Sequence, residues 1–184
     1  MLIKLMIVAL VALVALVALV ALVAGSGLVA STVSSHTVQP QPRAGSCRYR
    51  GHGVYSLPDP RCTPGAIDPT VTQANIHSTI CVSGYTERIR PPEDITEAEK
   101  RLSMKAYSAT KPLHSYEYDH LVALELGGAR NDPRNLWPDP GPIPNFKDEL
   151  AGRLRKRVCE GQMKLATAQT MIARNWISAY RRYG

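Results

Sequence analysis

The chain has 184 residues, 45% of them hydrophobic and 20% charged, with 22 Lys and Arg against 15 Asp and Glu and a formal net charge of +7. Once an apolar leader is set aside, that length leaves room for one compact domain of ordinary size. The basic balance suits a polyanionic partner, since Lys and Arg clusters concentrate phosphates electrostatically.

The first thirty residues read as a targeting device. Lys4 forms a minimal positive n-region, and residues 5–24 are an uninterrupted apolar run built on a Val-Ala-Leu repeat. Ala24 or Ala30 in the small-residue stretch that follows would precede a cleavage site. A run of this length is also long enough to stay uncleaved as an anchor, with Lys4 holding the amino end in the cytoplasm. Either way the body is expected outside the cytoplasm, secreted or tethered through this segment alone. Residues 31–45, rich in Ser, Thr, Gln and Pro, read as a flexible linker.

In an exported chain, four cysteines read as two disulfides, and Cys47, Cys62, Cys81 and Cys159 lack the close pairing of a zinc site. Three connectivities are open, with a lean toward Cys159 pairing with Cys62 or Cys81. Residues 46–95 mix prolines, glycines and short apolar runs such as Thr79–Val82, which reads as strand-like. This irregular region is expected to wrap the following module rather than form its own core. His52 and His77 have no partner spacing that implies chemistry. Arg88, Arg90, Lys100 and Arg101 are candidates for a phosphate-facing surface.

Thr96 followed by Glu99 reads as a capping box that starts a helix running to about Tyr107. Leu113–Asp119 then reads as a strand, with Tyr116 and Tyr118 alternating with Glu117 and Asp119, so that His120 falls at its end. Gly127-Gly128 and Asn131-Asp132-Pro133 are turn chemistry that returns Asn135 beside this strand. After the prolines at 138, 140, 142 and 144, a helix is expected to open near Asn145, with Phe146, Leu150, Leu154 and Val158 as its apolar stripe. A second helix over about Leu165–Tyr180 carries Leu165, Ala168, Ile172, Trp176 and Ala179 on one face.

The chemistry concentrates in YEYDHLVALELGGARNDPRNLWPDP, residues 116–140. Cutting a phosphodiester needs a base to activate water, a cation to absorb charge on the phosphorane-like transition state, and a group that fixes the base. A neutral imidazole at His120 supplies the base. Asp119 is a hard oxygen ligand for a divalent ion, and the Asn135 amide would fix the imidazole or the loop that carries it. Lys147 in the first turn of the later helix is a candidate phosphate contact, because helix amino termini attract anions.

At Asp119-His120, Gly127-Gly128, Asn135-Leu136 and Asn145 with Lys147, the chain resembles the HNH endonuclease family, over roughly residues 114–158. The similarity extends to secreted bacterial HNH-like proteins over most of the chain after the leader. The resemblance implies an α+β fold in which a small beta-beta-alpha-metal module carries flanking helices and an irregular, disulfide-braced N-terminal region, with residues 46–184 as a single domain. It implies one divalent metal ion (Mg²⁺, Mn²⁺, Ni²⁺ or Zn²⁺) held by Asp119 and Asn145, with His120 as general base, Asn135 positioning it and Lys147 on phosphate. Glu117, on the same strand face as Asp119, is a further candidate ligand ranked behind Asn145. The expected activity is hydrolysis of DNA, with RNA as a second substrate, and no protein partner is expected. Two other classes fit the sequence: a non-catalytic exported nucleic-acid-binding or envelope-associated protein on the same scaffold, and an enzyme acting on small phosphoesters.

Overall fold

The computed structural model describes residues 36–141 and 143–184. The leader, its cleavage positions and residues 31–35 lie outside the described residues. The fold is α+β, with two disulfides. Short 3-10 segments at Gly53–Tyr55 and Gln73–Ser78 lead into α1 (Tyr85–Ile89) and α2 (Glu93–Ala106). A 3-10 turn at Leu113–Ser115 then precedes β1 (Tyr116–His120). After a further 3-10 turn, Leu124–Leu126, come β2 (Leu136–Pro140), α3 (Phe146–Cys159) and α4 (Leu165–Tyr183).

β1 and β2 pair antiparallel, with Glu117 opposite Asp139, Asp119 opposite Trp137 and His120 opposite Leu136. Directly opposed residues share a face and alternate residues repeat it, so Glu117, Asp119, Trp137 and Asp139 stand on one side of the ribbon. Pro138 and Pro140 are tolerated because each strand has only one neighbour. A two-stranded ribbon is marginal alone; this one is held from outside, Tyr49 donating its hydroxyl to the Pro138 carbonyl at 2.9 Å.

The core is continuous along the chain. Leu150, Leu154 and Val158 of α3 meet Leu165, Ala168, Ile172, Trp176 and Ala179 of α4, and Cys47, Leu57, Val71, Ile76 and Ile80 of the irregular region join the same cluster. Full burial of side chains of this size stabilises by about 1.5–3 kcal/mol each. Phe146, expected on this stripe, is instead 36% exposed. α4 is broken at Asn175, whose φ of −164° is not helical. Its side chain accepts from Ser178 N at 3.0 Å and so caps the second segment, the local competition that Asn offers a helix interior.

Three further expectations shift. α2 opens four residues before the predicted capping box, because Pro92 sets the start and Glu93 and Asp94 complement the helix dipole. Glu99 is buried and accepts from Gln39 N at 2.6 Å rather than capping. Thr79–Val82 is a turn, closed by the Thr79 hydroxyl on the Asn75 carbonyl at 2.8 Å, and not a strand. Leu113–Ser115 winds before the strand proper begins. Within the stretch read as a linker, Gln41 bonds to the Tyr118 hydroxyl at 3.1 Å, and Asn131 donates to the Thr37 carbonyl at 3.0 Å.

The disulfides are Cys47–Cys62 and Cys81–Cys159, the second tying the end of α3 to the turn before α1. No cysteine is left free. Two bridges in a chain of this size point to an oxidising, extracellular environment. Among the described residues no helix is long and apolar enough to cross a membrane.

Candidate functional site

Where β1 ends and α3 begins, a cleft of about 200 Å³ is lined by Glu117, Asp119, His120, Glu125 and Asp148, with Arg90 and Thr86 at its side. Each wall has a local cause. The strand places Glu117 and Asp119 on one face. The loop after His120 must turn sharply, and Gly127-Gly128 makes that possible. Gly127 has φ +72°, and a Cβ on Gly128 would collide with the Val122 carbonyl and the Asn135 amide. The capping box of Asn145 and Asp148 starts α3 beside the strand and aims its first turn at the carboxylates.

His120 is 7% exposed, and its Nε2 lies 2.8 Å from the Arg130 carbonyl. A carbonyl only accepts, so Nε2 carries the proton and Nδ1 of the neutral ring keeps the lone pair. Burial, reinforced by the Arg90 and Lys147 charges, pushes the imidazole down to about 4 against the pull of the carbonyl hydrogen bond. The ring is therefore neutral at physiological pH, with the Nδ1 lone pair unprotonated.

Asn135 is fully buried and does not bond the imidazole. Its Oδ1 accepts from Val122 N at 2.9 Å, while Nδ2 donates to the carbonyls of Val122 and Ala129, both at 3.0 Å. Of the two roles foreseen for this amide, the geometry carries the second: it holds the loop whose Arg130 carbonyl orients His120.

Asn145 is the N-cap of α3. Its Oδ1 accepts from Lys147 N at 2.8 Å and Asp148 N at 3.2 Å, and its Nδ2 donates to Glu117 Oε2 at 3.1 Å. Both lone pairs of the amide oxygen are committed, which leaves none for the expected metal contact. Lys147, expected at a phosphate, turns inward. Its side chain is 1% exposed, with Nζ 2.8 Å from Asp119 Oδ2 and 3.0 Å from the His120 carbonyl. Burial works against that charge, yet Asp119, Asp148 and Asp139 hold the ammonium above the ordinary lysine value.

Two acids missed by sequence reasoning complete the cluster. Asp139 is buried opposite Glu117, and burial together with the Asp119 and Glu117 charges lifts it to about 9, against the pull of Lys147. Glu125 lines the cleft and is raised by burial. The period-two alternation pointed toward Asp139, because the face that carries Trp137 also carries residue 139. Glu117 is raised to about 7 by burial, then by Asp119 and Asp148, with Lys147 and the Asn145 hydrogen bond opposing.

Among the described residues no group of three His, Cys, Asp or Glu side chains stands ready to hold a metal ion. The donor chemistry nonetheless fits a hard cation. Asp119 and Glu117 present carboxylates to the cleft, and the buried Asp119 Oδ2 has an ammonium as its counter-charge and no other hydrogen-bond donor. Small divalent ions take one or two protein carboxylates and complete their shell with water. His52, His77 and His114 are exposed and away from the cleft. Of the candidate phosphate-facing cations, Arg90 reaches the cleft, while Lys100 is buried beside Glu97 at 3.6 Å. Compared with models of known families, with curated proteins and with solved structures, the chain gives no match.

Proposed function

We propose that the chain is an exported, metal-dependent endonuclease that hydrolyses phosphodiesters of DNA, with RNA as a second substrate, on a beta-beta-alpha module of the HNH type formed by β1, β2 and α3. The observation that carries this reading is His120: a neutral imidazole, its Nε2 proton parked on a backbone carbonyl, in a carboxylate-lined cleft where a strand ribbon meets a helix.

In this reading His120 Nδ1 takes the proton from the attacking water, and the Arg130 carbonyl stabilises the imidazolium that forms. Asp119 and Glu117 would hold the divalent ion, in place of the Asp119 and Asn145 pair that the sequence suggests. When bound, the ion supplies charge stabilisation for the pentavalent transition state and the departing oxygen. Asn135 acts as a positioning residue through the loop. Arg90 at the rim is the cation best placed for a flanking phosphate. The described lining of the cleft is charged and polar rather than shaped to read bases, so binding there is electrostatic and weakens steeply with salt.

A second reading, a non-catalytic exported nucleic-acid-binding protein, is favoured by one observation. The Lys147 ammonium already neutralises Asp119, at 2.8 Å from its Oδ2. Plasmid nicking by the oxidised protein separates the two. The nuclease reading expects nicking with Mg²⁺, Mn²⁺, Ni²⁺ or Zn²⁺ that EDTA abolishes and that Glu117→Gln reduces. Binding without nicking under any of these ions supports the second reading.

A further inference from the structure

On the far side of the first turn of α3 from the cleft, large apolar side chains stand in solvent. Tyr55 is 49% exposed, Ile143 65%, Phe146 36% and Val54 37%. The Tyr55 and Phe146 rings stack nearly parallel, 4° apart with centroids at 5.7 Å, and Phe146 meets Tyr180 at 5.3 Å. Beside them an open groove of about 510 Å³ is lined by Tyr55, Ile177, Tyr180, Arg181 and Gly184. Arg181 lines the groove beside Tyr55 and Tyr180, while Arg157 and Arg182 sit over a different ring, that of Tyr183, at 5.3 and 5.2 Å. Arg153 is exposed on α3 and pairs with Glu149 at 3.9 Å. Glu149 also accepts the Tyr180 hydroxyl at 3.2 Å and so holds that ring in place.

Exposed aromatic clusters are costly in water and mark binding surfaces. An aromatic cluster with Arg181 in its groove and Arg153 beside it through Glu149 fits a ligand that is both flat and anionic. Bases have flat faces and phosphates follow them at every step, whereas bases inside a duplex are already stacked on one another and offer no free face. Phe146 and Asp148 lie in the same turn, so platform and cleft are separated by ~10 Å, one helix diameter.

We infer that the Tyr55, Phe146 and Tyr180 platform, with Arg181 and Arg153, binds unpaired bases of single-stranded nucleic acid. The inference deepens the nuclease reading and rests on it for the identity of the ligand. It makes the preferred substrate a single strand, or a duplex that has opened beside the cut.

The test is fluorescence anisotropy with a labelled oligodeoxythymidine of about 12 nucleotides and with a duplex of equal length, on the oxidised full-length protein in EDTA so that nothing is cut. The single strand is expected to bind more tightly than the duplex. Tyr55→Ala is expected to weaken single-strand binding by about 5- to 150-fold, the range for loss of one stacked base, while Tyr55→Phe keeps the wild-type value. Placing abasic sites along the oligonucleotide leaves the protein untouched and is expected to cost a similar factor at one or two positions. Wild-type affinity in Tyr55→Ala, no effect of any abasic site, or a preference for duplex overturns the inference. Ring-dependent binding without metal-dependent nicking defeats the nuclease reading alone, and nicking with ring-independent binding defeats this inference alone.

Discussion

The cleft and the α3–α4 pair are neighbours built of opposite materials. In the helix pair Leu150, Leu154, Ile172 and Trp176 are buried among apolar side chains, and the one polar atom of Trp176 is satisfied by the Ser56 carbonyl at 3.0 Å. At the cleft, Asp119 of the wall is buried with Asp139 and Lys147 behind it, a single ammonium for two acids. The first arrangement contributes stability through apolar burial. The second stores charge where water is scarce, which destabilises the fold but shifts proton affinities, the pattern expected of a chemical site.

Perturbing each region separately sharpens that contrast. Lys147→Met strips the ammonium from a buried carboxylate, and breaking such a pair is expected to cost about 3–5 kcal/mol. Urea unfolding should show this loss at neutral pH and a smaller one in acid, where carboxylates in general take up protons. Trp176→Ala is expected to lose a similar amount, about 3–5 kcal/mol, but with no such pH dependence, because no charge is uncovered. A matching pH dependence in both variants would erase the distinction between the regions. Asn145→Ala removes the cap of α3 and should cost about 1 kcal/mol, seen as a lower denaturant midpoint, while releasing Glu117 from its hydrogen bond.

Asp139→Asn gives the smallest effect near pH 4 and a larger one in base. The folded-state carboxyl, raised to about 9, keeps its proton after the unfolded chain has lost it near its ordinary value. Wild-type stability therefore falls as pH rises through that window. The neutral amide lacks this slope, so thermal melts should show the variant gaining on the wild type between pH 5 and 9. Parallel pH profiles would mean that Asp139 is ionised in the folded protein.

What the sequence made legible follows the same division. The stripe Leu165, Ala168, Ile172, Trp176 and Ala179 is entirely buried, because helical periodicity is local and burial enforces it. The order of strand, Gly-Gly turn, strand and helix was likewise readable, since each step is set by neighbouring residues. The partners of the polar groups were not. The inward turn of Lys147 and the raised Asp139 depend on which charges the fold brings together across β1, β2 and α3. Phe146 was misassigned because four-residue spacing predicts a shared stripe, whereas at the first turn Tyr55, from ninety-one positions earlier, supplies a different neighbour. The irregular stretch is shaped by distant bonds such as Arg155 Nε to the Ile80 carbonyl at 2.6 Å and Leu165 N to Gln73 at 2.7 Å, for which no local pattern exists.

The most direct test of the central claim is the rate of plasmid nicking by His120→Ala against the wild type, each at matched folded fraction and saturating divalent metal. Removal of a general base is expected to slow cutting by about 10²–10⁴-fold, with single-strand affinity unchanged. Nicking by the variant at the wild-type rate would contradict the assignment of His120 and with it the proposed site.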